Sequence, residues 1–319
     1  LMRSSAASDV YKRQGYALSS VYGAKTPNSE WEYMTGNSMA FLPEGSVVYQ
    51  QYIDDQPTSI VSTLKNNGYT CVAMHPYYST GWSRNKVYPK LGFDETHFMD
   101  DFDETNILRE YITDQELYDG IIDRYENRKN NEKLYIMGIT MQNHGGYGTR
   151  YDNFDQEVYK LGDSYTDGNQ YLSLIHESDK AFKNLITYFQ NVDDPVEIVF
   201  FGDHQPTDAV VEPIWNLEGK SSSDLTEEEN QLRYKVPYVI WANYDIDEAV
   251  NQESSANYLG AQMMEAAGIP LSDYQNYLLE QKKEMPLIST QHTEAEGSDA
   301  WLNYQTLQYY LLFDWDGEK

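Results

Sequence analysis

Cysteine is nearly absent: Cys71 stands alone in 319 residues, which excludes an intramolecular disulfide framework and a thiolate metal cluster. Basic residues are scarce too, 23 Lys and Arg against 51 Asp and Glu, for a formal net charge of −28. That deficit excludes nucleic acid as a partner, because phosphate backbones are held by clustered cations that release counterions. It equally argues against adsorption to an anionic membrane through a basic patch. No apolar run approaches the roughly 18 residues that a membrane-spanning helix needs, and the amino-terminal stretch has no apolar centre of the signal-peptide kind. Solenoid-length repeats and low-complexity linkers are missing as well, so a single domain is expected. What is there is material for a core: 40% hydrophobic and 14% aromatic residues, with 29 Tyr, too many for a disordered acidic chain.

Apolar runs of strand length alternate with segments of helical period, the pattern of βαβ units and a mostly parallel sheet. In PTSIVSTLKNNG, which starts at Pro57, residues Ile60, Val61 and Leu64 share one helical face. Gly68 stands where a helix C′ glycine belongs. YTCVAMHP follows as a buried strand ending at His75. The logic then repeats: Leu117, Ile121 and Tyr125 recur at fourfold spacing in TDQELYDGIIDRYENRKNNE, and KLYIMGITM reads as a central strand. An irregular Tyr/Gly/Asp stretch from about 145 to 168 precedes a long amphipathic helix, YLSLIHESDKAFKNLITYFQNV. VEIVFFGDHQP and KVPYVIWA are two further strands, and the stretch 253–283 predicts two short helices around AAGIPLSDY. The polar break at 221–231, SSSDLTEEENQ, reads as a surface loop with a helix start.

In open parallel α/β sheets ligands bind beyond the carboxyl ends of the strands. Three polar clusters fall there, MHPYYSTGWSR, TMQNHGGYG and FFGDHQPTD, and between them they hold three of the six histidines. Adjacent Asp203 and His204 can give an oxygen and a nitrogen to a divalent cation, with Mn2+, Mg2+ and Zn2+ all compatible; the alternative is a helix-capping Asp beside a satisfied polar His. Arg84, close to His75 and Trp82, suits bidentate phosphate or sulfate recognition, or is a surface Arg beside a half-buried Trp. His144 precedes Gly145 and Gly146, which permit close backbone approach to a ligand, or is a plain loop histidine. KTPNSEWE offers Thr26 and Ser29 as hydroxyls at a helix start, with Pro27 as first helical residue and Glu30 completing a capping box. A hydroxyl there faces a partial positive charge that favours an alkoxide and an incoming anion. On the residues alone, Thr26 reads as an N-cap.

The blocks GAKTPNSEWEYMTGNSMAFLPEGSVVYQQYI, MHPYYSTGWSRNKVYPKLGF, MGITMQNHGGY, IVFFGDHQP and AAGIPLSDYQNYLLE, in that order from about residue 15 to 285, resemble the extracellular catalytic domain of the lipoteichoic acid synthase family. These are phosphoglycerol transferases of the sulfatase-like, alkaline-phosphatase-like superfamily. The resemblance implies an α/β sandwich with a central, mostly parallel sheet flanked by helices, plus a smaller C-terminal α/β portion. It makes Thr26 both nucleophile and metal ligand, Asp203 and His204 further metal ligands, and His75, Trp82, Arg84 (in the pattern H-x6-W-x-R) and His144 the binders of phosphoglycerol. Mn2+ is the expected ion, with Mg2+ or Zn2+ as alternatives. Phosphatidylglycerol is the implied donor, diacylglycerol the leaving product, and a cell-surface glycerol-phosphate polymer the acceptor. The implied place is the outer face of the cell membrane of a Gram-positive-type bacterium, anchored by helices upstream of the catalytic domain.

Two departures qualify what the resemblance implies. The family's first metal ligand is a glutamate ending an opening strand upstream of the nucleophile, and this chain begins after it. Weak metal binding and an inactive, N-terminally truncated catalytic domain over residues 15–319 are therefore expected. Residues 1–14, LMRSSAASDVYKRQ, resemble translated sequencing adapter and are set outside that domain. The second departure concerns true sulfatases, whose C-x-P-x-R motif is not met around Cys71 in CVAMH. A sulfatase-like hydrolase of phosphate or sulfate esters is the alternative enzyme, and a catalytically silent module binding anionic cell-wall polymer is the alternative outside catalysis.

Overall fold

A computed structural model of the chain describes residues 12–53, 57–159 and 166–314. Among them run nine strands, β1 (Arg13–Leu18), β2 (Tyr69–Met74), β3 (Glu95–His97), β4 (Ile107–Leu108), β5 (Tyr111–Ile112), β6 (Lys133–Gly138), β7 (Glu197–Phe201), β8 (Lys235–Ala242) and β9 (Ala249–Ser255). The α-helices are α1 (Thr26–Thr35), α2 (Val48–Gln51), α3 (Ile60–Asn66), α4 (Arg84–Leu91), α5 (Asp114–Glu126), α6 (Asp167–Phe189), α7 (Asp208–Asn216), α8 (Glu227–Gln231), α9 (Ala256–Ala266), α10 (Asp273–Glu284) and α11 (Asp299–Tyr309).

Local chemistry sets these elements. Ser59 and Ser62 close a capping box on α3, and Gly68 takes a left-handed φ of 82° just beyond its end, where a side chain would cost strain. Thr113 and Thr166 cap α5 and α6 through their hydroxyls. On α6 the buried residues Leu174, Ala181, Phe182, Leu185 and Phe189 form one stripe, the helical period that drives packing onto a sheet. The irregular stretch has no helix or strand from 145 to 159; residues 160–165 lie outside the described residues.

The strands form a four-stranded sheet in the order β7-β8-β1-β9 and a three-stranded sheet in the order β3-β2-β6, beside the small β4-β5 hairpin. All pairs in the second sheet are parallel, whereas β8 runs antiparallel to both of its neighbours. Two helical layers flank the sheets. Trp31, Met34, Leu64, Leu259 and Met264 from α1, α3 and α9 pack on one side. Leu117, Tyr118, Phe182 and Phe189 from α5 and α6 pack on the other. This mixed α/β sandwich is the expected architecture, and the C-terminal portion contributes β9 with three helices. Arg13 and Gln14, placed outside the domain on sequence grounds, pair with Ile240 and Val239 in β1; residues 1–11 of that segment lie outside the described residues.

Candidate active site

The carboxyl ends of β2, β6 and β7 and the start of α1 open into one cavity. Thr26, His75, Trp82, Arg84, His144, Asp203 and His204, the seven residues expected from the sequence, all line it.

Thr26 is the first residue of α1, and the capping position belongs to Lys25, in a left-handed conformation with no side-chain cap. The expected N-cap role of Thr26 and the capping box with Glu30 are therefore absent. The reason is tertiary: Thr26 Oγ1 turns away from the helix and donates to Asp203 Oδ2 at 2.7 Å. His204 Nε2 stands 3.5 Å from the same hydroxyl and 3.2 Å from Asp203 Oδ2. The ring's other nitrogen, Nδ1, lies 2.9 Å from the Gln205 carbonyl. A carbonyl only accepts, so Nδ1 carries the proton and the Nε2 lone pair faces Thr26. Ser19 and Ser29 each donate to the Asp203 carbonyl at 2.7 Å, fixing the backbone at the strand end.

The second half of the site is a buried ion pair. Arg84, 2% exposed, binds Glu30, 3% exposed; the surface reading of Arg84 is excluded. Glu30 also accepts from Tyr49 at 2.8 Å and Tyr88 at 3.1 Å. Burial alone would raise its pKa, but the adjacent guanidinium brings it below the usual carboxylate range. His75 donates Nδ1–H to the Ile139 carbonyl at 2.9 Å, and its Nε2 accepts from Arg84 at 3.3 Å. Burial, then the Arg84 charge, push the His75 pKa down to about 4. His75 is thus neutral at ordinary pH and orients Arg84; it carries no charge to a ligand.

His144 sits on the exposed loop after β6. Tyr111 lies 3.1 Å from its Nδ1, and Arg109 holds the loop by donating to the carbonyls of Gln142 and His144 at 2.7 and 2.8 Å. Its pKa is lowered by burial and then by the neighbouring His204. Lys25, Trp82, Ser83 and Arg109 all have positive φ, between 52° and 73°. Such backbone costs roughly 1–3 kcal/mol per residue and concentrates at functional sites.

Thr26, Asp203 and His204 fit part of a cation site: an oxygen, a carboxylate and a free imidazole lone pair converge. Ligand bonds of about 2.0–2.1 Å in tetrahedral array put donors roughly 3.3 Å apart, near the observed spacing of His204 from the other two. Among the described residues, however, no group of three or more His, Cys, Asp or Glu side chains converges, so the set is incomplete. Sequence reasoning missed Arg109 and Ser19, and it gave Glu30 and Ser29 other roles than the ion pair with Arg84 and the bond to the Asp203 carbonyl. No local signal marks them, because each acts on a residue distant in the chain.

The family model for sulfatases matches residues 3–269. A lipoteichoic acid synthase of Staphylococcus saprophyticus is 31% identical over 182 residues, 55% of this chain and 27% of that protein. The capsular polysaccharide biosynthesis protein RkpI of Rhizobium meliloti is 32% identical over 146 residues, 45% of this chain and 25% of its own length. Among solved structures, the phosphoglycerol transferase GacH of Streptococcus pyogenes, in complex with sn-glycerol-1-phosphate, superposes with a TM-score of 0.74 at 21% identity, covering 94% of this chain and 76% of that one. The chain spans less than half the length of the curated relatives it matches. Among the described residues no helix is long and apolar enough to cross a membrane.

Proposed function

The chain belongs to the sulfatase family, and we propose that it is a phosphoglycerol transferase acting through a covalent Thr26 intermediate. The observation that carries this reading is the junction of Thr26 with Asp203 and His204 in the cavity that also holds Arg84, Trp82 and His144. The similarity to a lipoteichoic acid synthase and to GacH supports phosphoglycerol over other phosphoryl groups.

Thr26 Oγ1 attacks the phosphorus of phosphatidylglycerol, and the bond from phosphorus to the diacylglycerol oxygen breaks. Asp203 Oδ2, already bonded to the hydroxyl, accepts its proton. The departing diacylglycerol oxygen takes up a proton from water and Asp203 returns its own to solvent, leaving glycerophospho-Thr26 with the carboxylate restored. Arg84 and the imidazole of His144 face the cavity where charge develops, and donors fixed before reaction stabilise it without reorganising. The terminal hydroxyl of a glycerol-phosphate polymer then attacks phosphorus and gives up its proton to solvent, while the bond from phosphorus to Thr26 Oγ1 breaks and that oxygen is reprotonated. Thr26, Asp203 and His204 would hold a divalent cation, Mn2+ by preference, which when bound lowers the hydroxyl pKa and takes up charge on the phosphoryl oxygens. The reading places the reaction at the outer face of a cell membrane, where donor and acceptor meet.

The test is incubation with phosphatidylglycerol vesicles and Mn2+, reading diacylglycerol release and the mass of Thr26 peptides. Release with a phosphoglyceryl adduct is expected, and Thr26→Ala should reduce both by at least about a thousandfold. Turnover of an aryl phosphate or sulfate without the adduct would replace this reading with hydrolysis. Silence on every substrate, with polymer binding retained, would replace it with a binding module.

A further inference from the structure

Lys25, the residue immediately before Thr26, breaks three local rules at once. It occupies the capping position of α1 in a left-handed conformation, φ 73° and ψ 41°, with no side-chain cap. Capping positions ordinarily take extended backbone and a Ser, Thr, Asp or Asn that accepts from the helix, and left-handed backbone is disfavoured for a residue with a Cβ. Lys25 also sets a cation at the positive end of the helix dipole, where an anion belongs. No ion pair offsets this. Among the described residues its ammonium has no carboxylate partner, whereas Arg84, Arg128 and Lys235, which line the same cavity, are paired with Glu30, Asp194 and Glu253. Yet Lys25 is half-buried and lines the cavity with Thr26, in a chain with 28 more acidic than basic residues. A sequence that breaks its local rules without a local gain does so at functional positions.

The charge balance around Thr26 gives Lys25 its use. Asp203 is negative, the charges of Glu30 and Arg84 balance each other, and His75, with its pKa pushed down to about 4, is neutral. The start of α1 adds little, because Pro27 has no N–H and the Asn28 N–H is bonded to the Lys25 carbonyl at 2.9 Å. A phosphodiester brings one negative charge and gains a second as Thr26 Oγ1 attacks, so without Lys25 these groups would meet it with a net negative charge. We infer that Lys25 is a further catalytic residue, whose ammonium contacts a non-bridging oxygen of the phosphoryl group at Thr26 and stabilises the charge that grows there. This rests on the phosphoglycerol reading of the site and supplies the unbalanced cation that the other residues lack. A compact charge on a flexible stem suits a single oxygen, where the planar fork of an arginine suits two.

Lys25→Met, Lys25→Arg and Lys25→Gly in the full chain test it. Calorimetric titration of sn-glycerol-1-phosphate, with and without Mn2+, should show affinity reduced about tenfold in Lys25→Met and kept within about threefold in Lys25→Arg. Diacylglycerol release from phosphatidylglycerol vesicles should lose about a hundredfold in kcat/KM in Lys25→Met, more than the affinity loses, because the second charge exists only in the transition state. The melting temperature of Lys25→Gly should hold or rise, since glycine is free of left-handed strain, while its affinity falls as in Lys25→Met. Affinity and release unchanged in Lys25→Met would overturn the inference. So would losses that follow a lowered melting temperature in all three variants, or a parent that binds no glycerol phosphate. A parent that binds it through Lys25 yet releases no diacylglycerol would uphold the contact and remove the transferase reading; release that survives Lys25→Met in full would do the reverse.

Discussion

Replacing Glu30 by Gln tests the electrostatic logic of the site most directly. Gln keeps the shape and an oxygen that accepts from Tyr49 and Tyr88, but it removes the counter-charge of an Arg84 that is 2% exposed. Breaking a buried pair by removing one partner costs about 3–5 kcal/mol, because the other charge stays out of water. The retained tyrosine bonds place Glu30→Gln near the lower end, about 3 kcal/mol. Arg84→Gln should cost a similar amount, since Glu30 is then the stranded charge. The double variant, with two neutral amides facing each other, should lose far less than the two singles together, a coupling of about 2–3 kcal/mol. Urea unfolding of the four proteins measures it, with equal slopes confirming that only stability changed. Because the folded pKa of Glu30 is depressed, its contribution is present above the unfolded value of about 4.3 and is lost as pH falls through the folded one. Glu30→Gln should therefore hurt at neutral pH and matter least in acid. Single variants that add within about 0.5 kcal/mol, or a loss that does not shrink in acid, would refute the reasoning.

Glu32 should behave in the opposite sense. Burial outweighs its bonds to Met39 N, Ser20 and Ser38 and lifts its pKa to about 7, so its contribution is complete below the unfolded pKa and is lost as pH rises through about 7. Glu32→Gln is then expected to gain about 3 kcal/mol relative to the parent between pH 4.5 and pH 8, read as the change in the urea-midpoint difference; a constant difference would exclude it. Gly260→Ala probes the contact of α9 with α1, where an added Cβ would lie 2.4 Å from the Tyr33 carbonyl and 2.9 Å from Ile60 Cγ2. Overpacking of about 1–3 kcal/mol should exceed the roughly 1 kcal/mol gain in helix propensity, and a raised melting temperature would contradict that.

The amino-acid sequence by itself determined the alternation of strands and helices, the caps and glycine stop of α3, and the three polar clusters that meet at the site. Those features are written in periods of two and 3.6 residues and in side chains adjacent along the chain, which local chemistry makes legible. The resemblance of its motif blocks carried the rest of the seven-residue set, and all seven line one cavity. Tertiary structure alone decided how those residues work. Thr26 looked like a cap because its helix was legible, but the carboxylate that takes its hydroxyl lies 177 residues away. Glu30 fits a capping pattern in sequence and is instead the counter-ion of an arginine 54 residues on. His75 is held neutral by burial and that same arginine. Among the described residues β6 and β7 each end a sheet, and nothing in the sequence marks that, because a strand's pattern records which faces are covered and not which neighbour pairs with its edge. A buried charge must find its partner wherever the fold brings one, and an edge must find whatever strand lies beside it; both are settled in space, after the local rules have been spent.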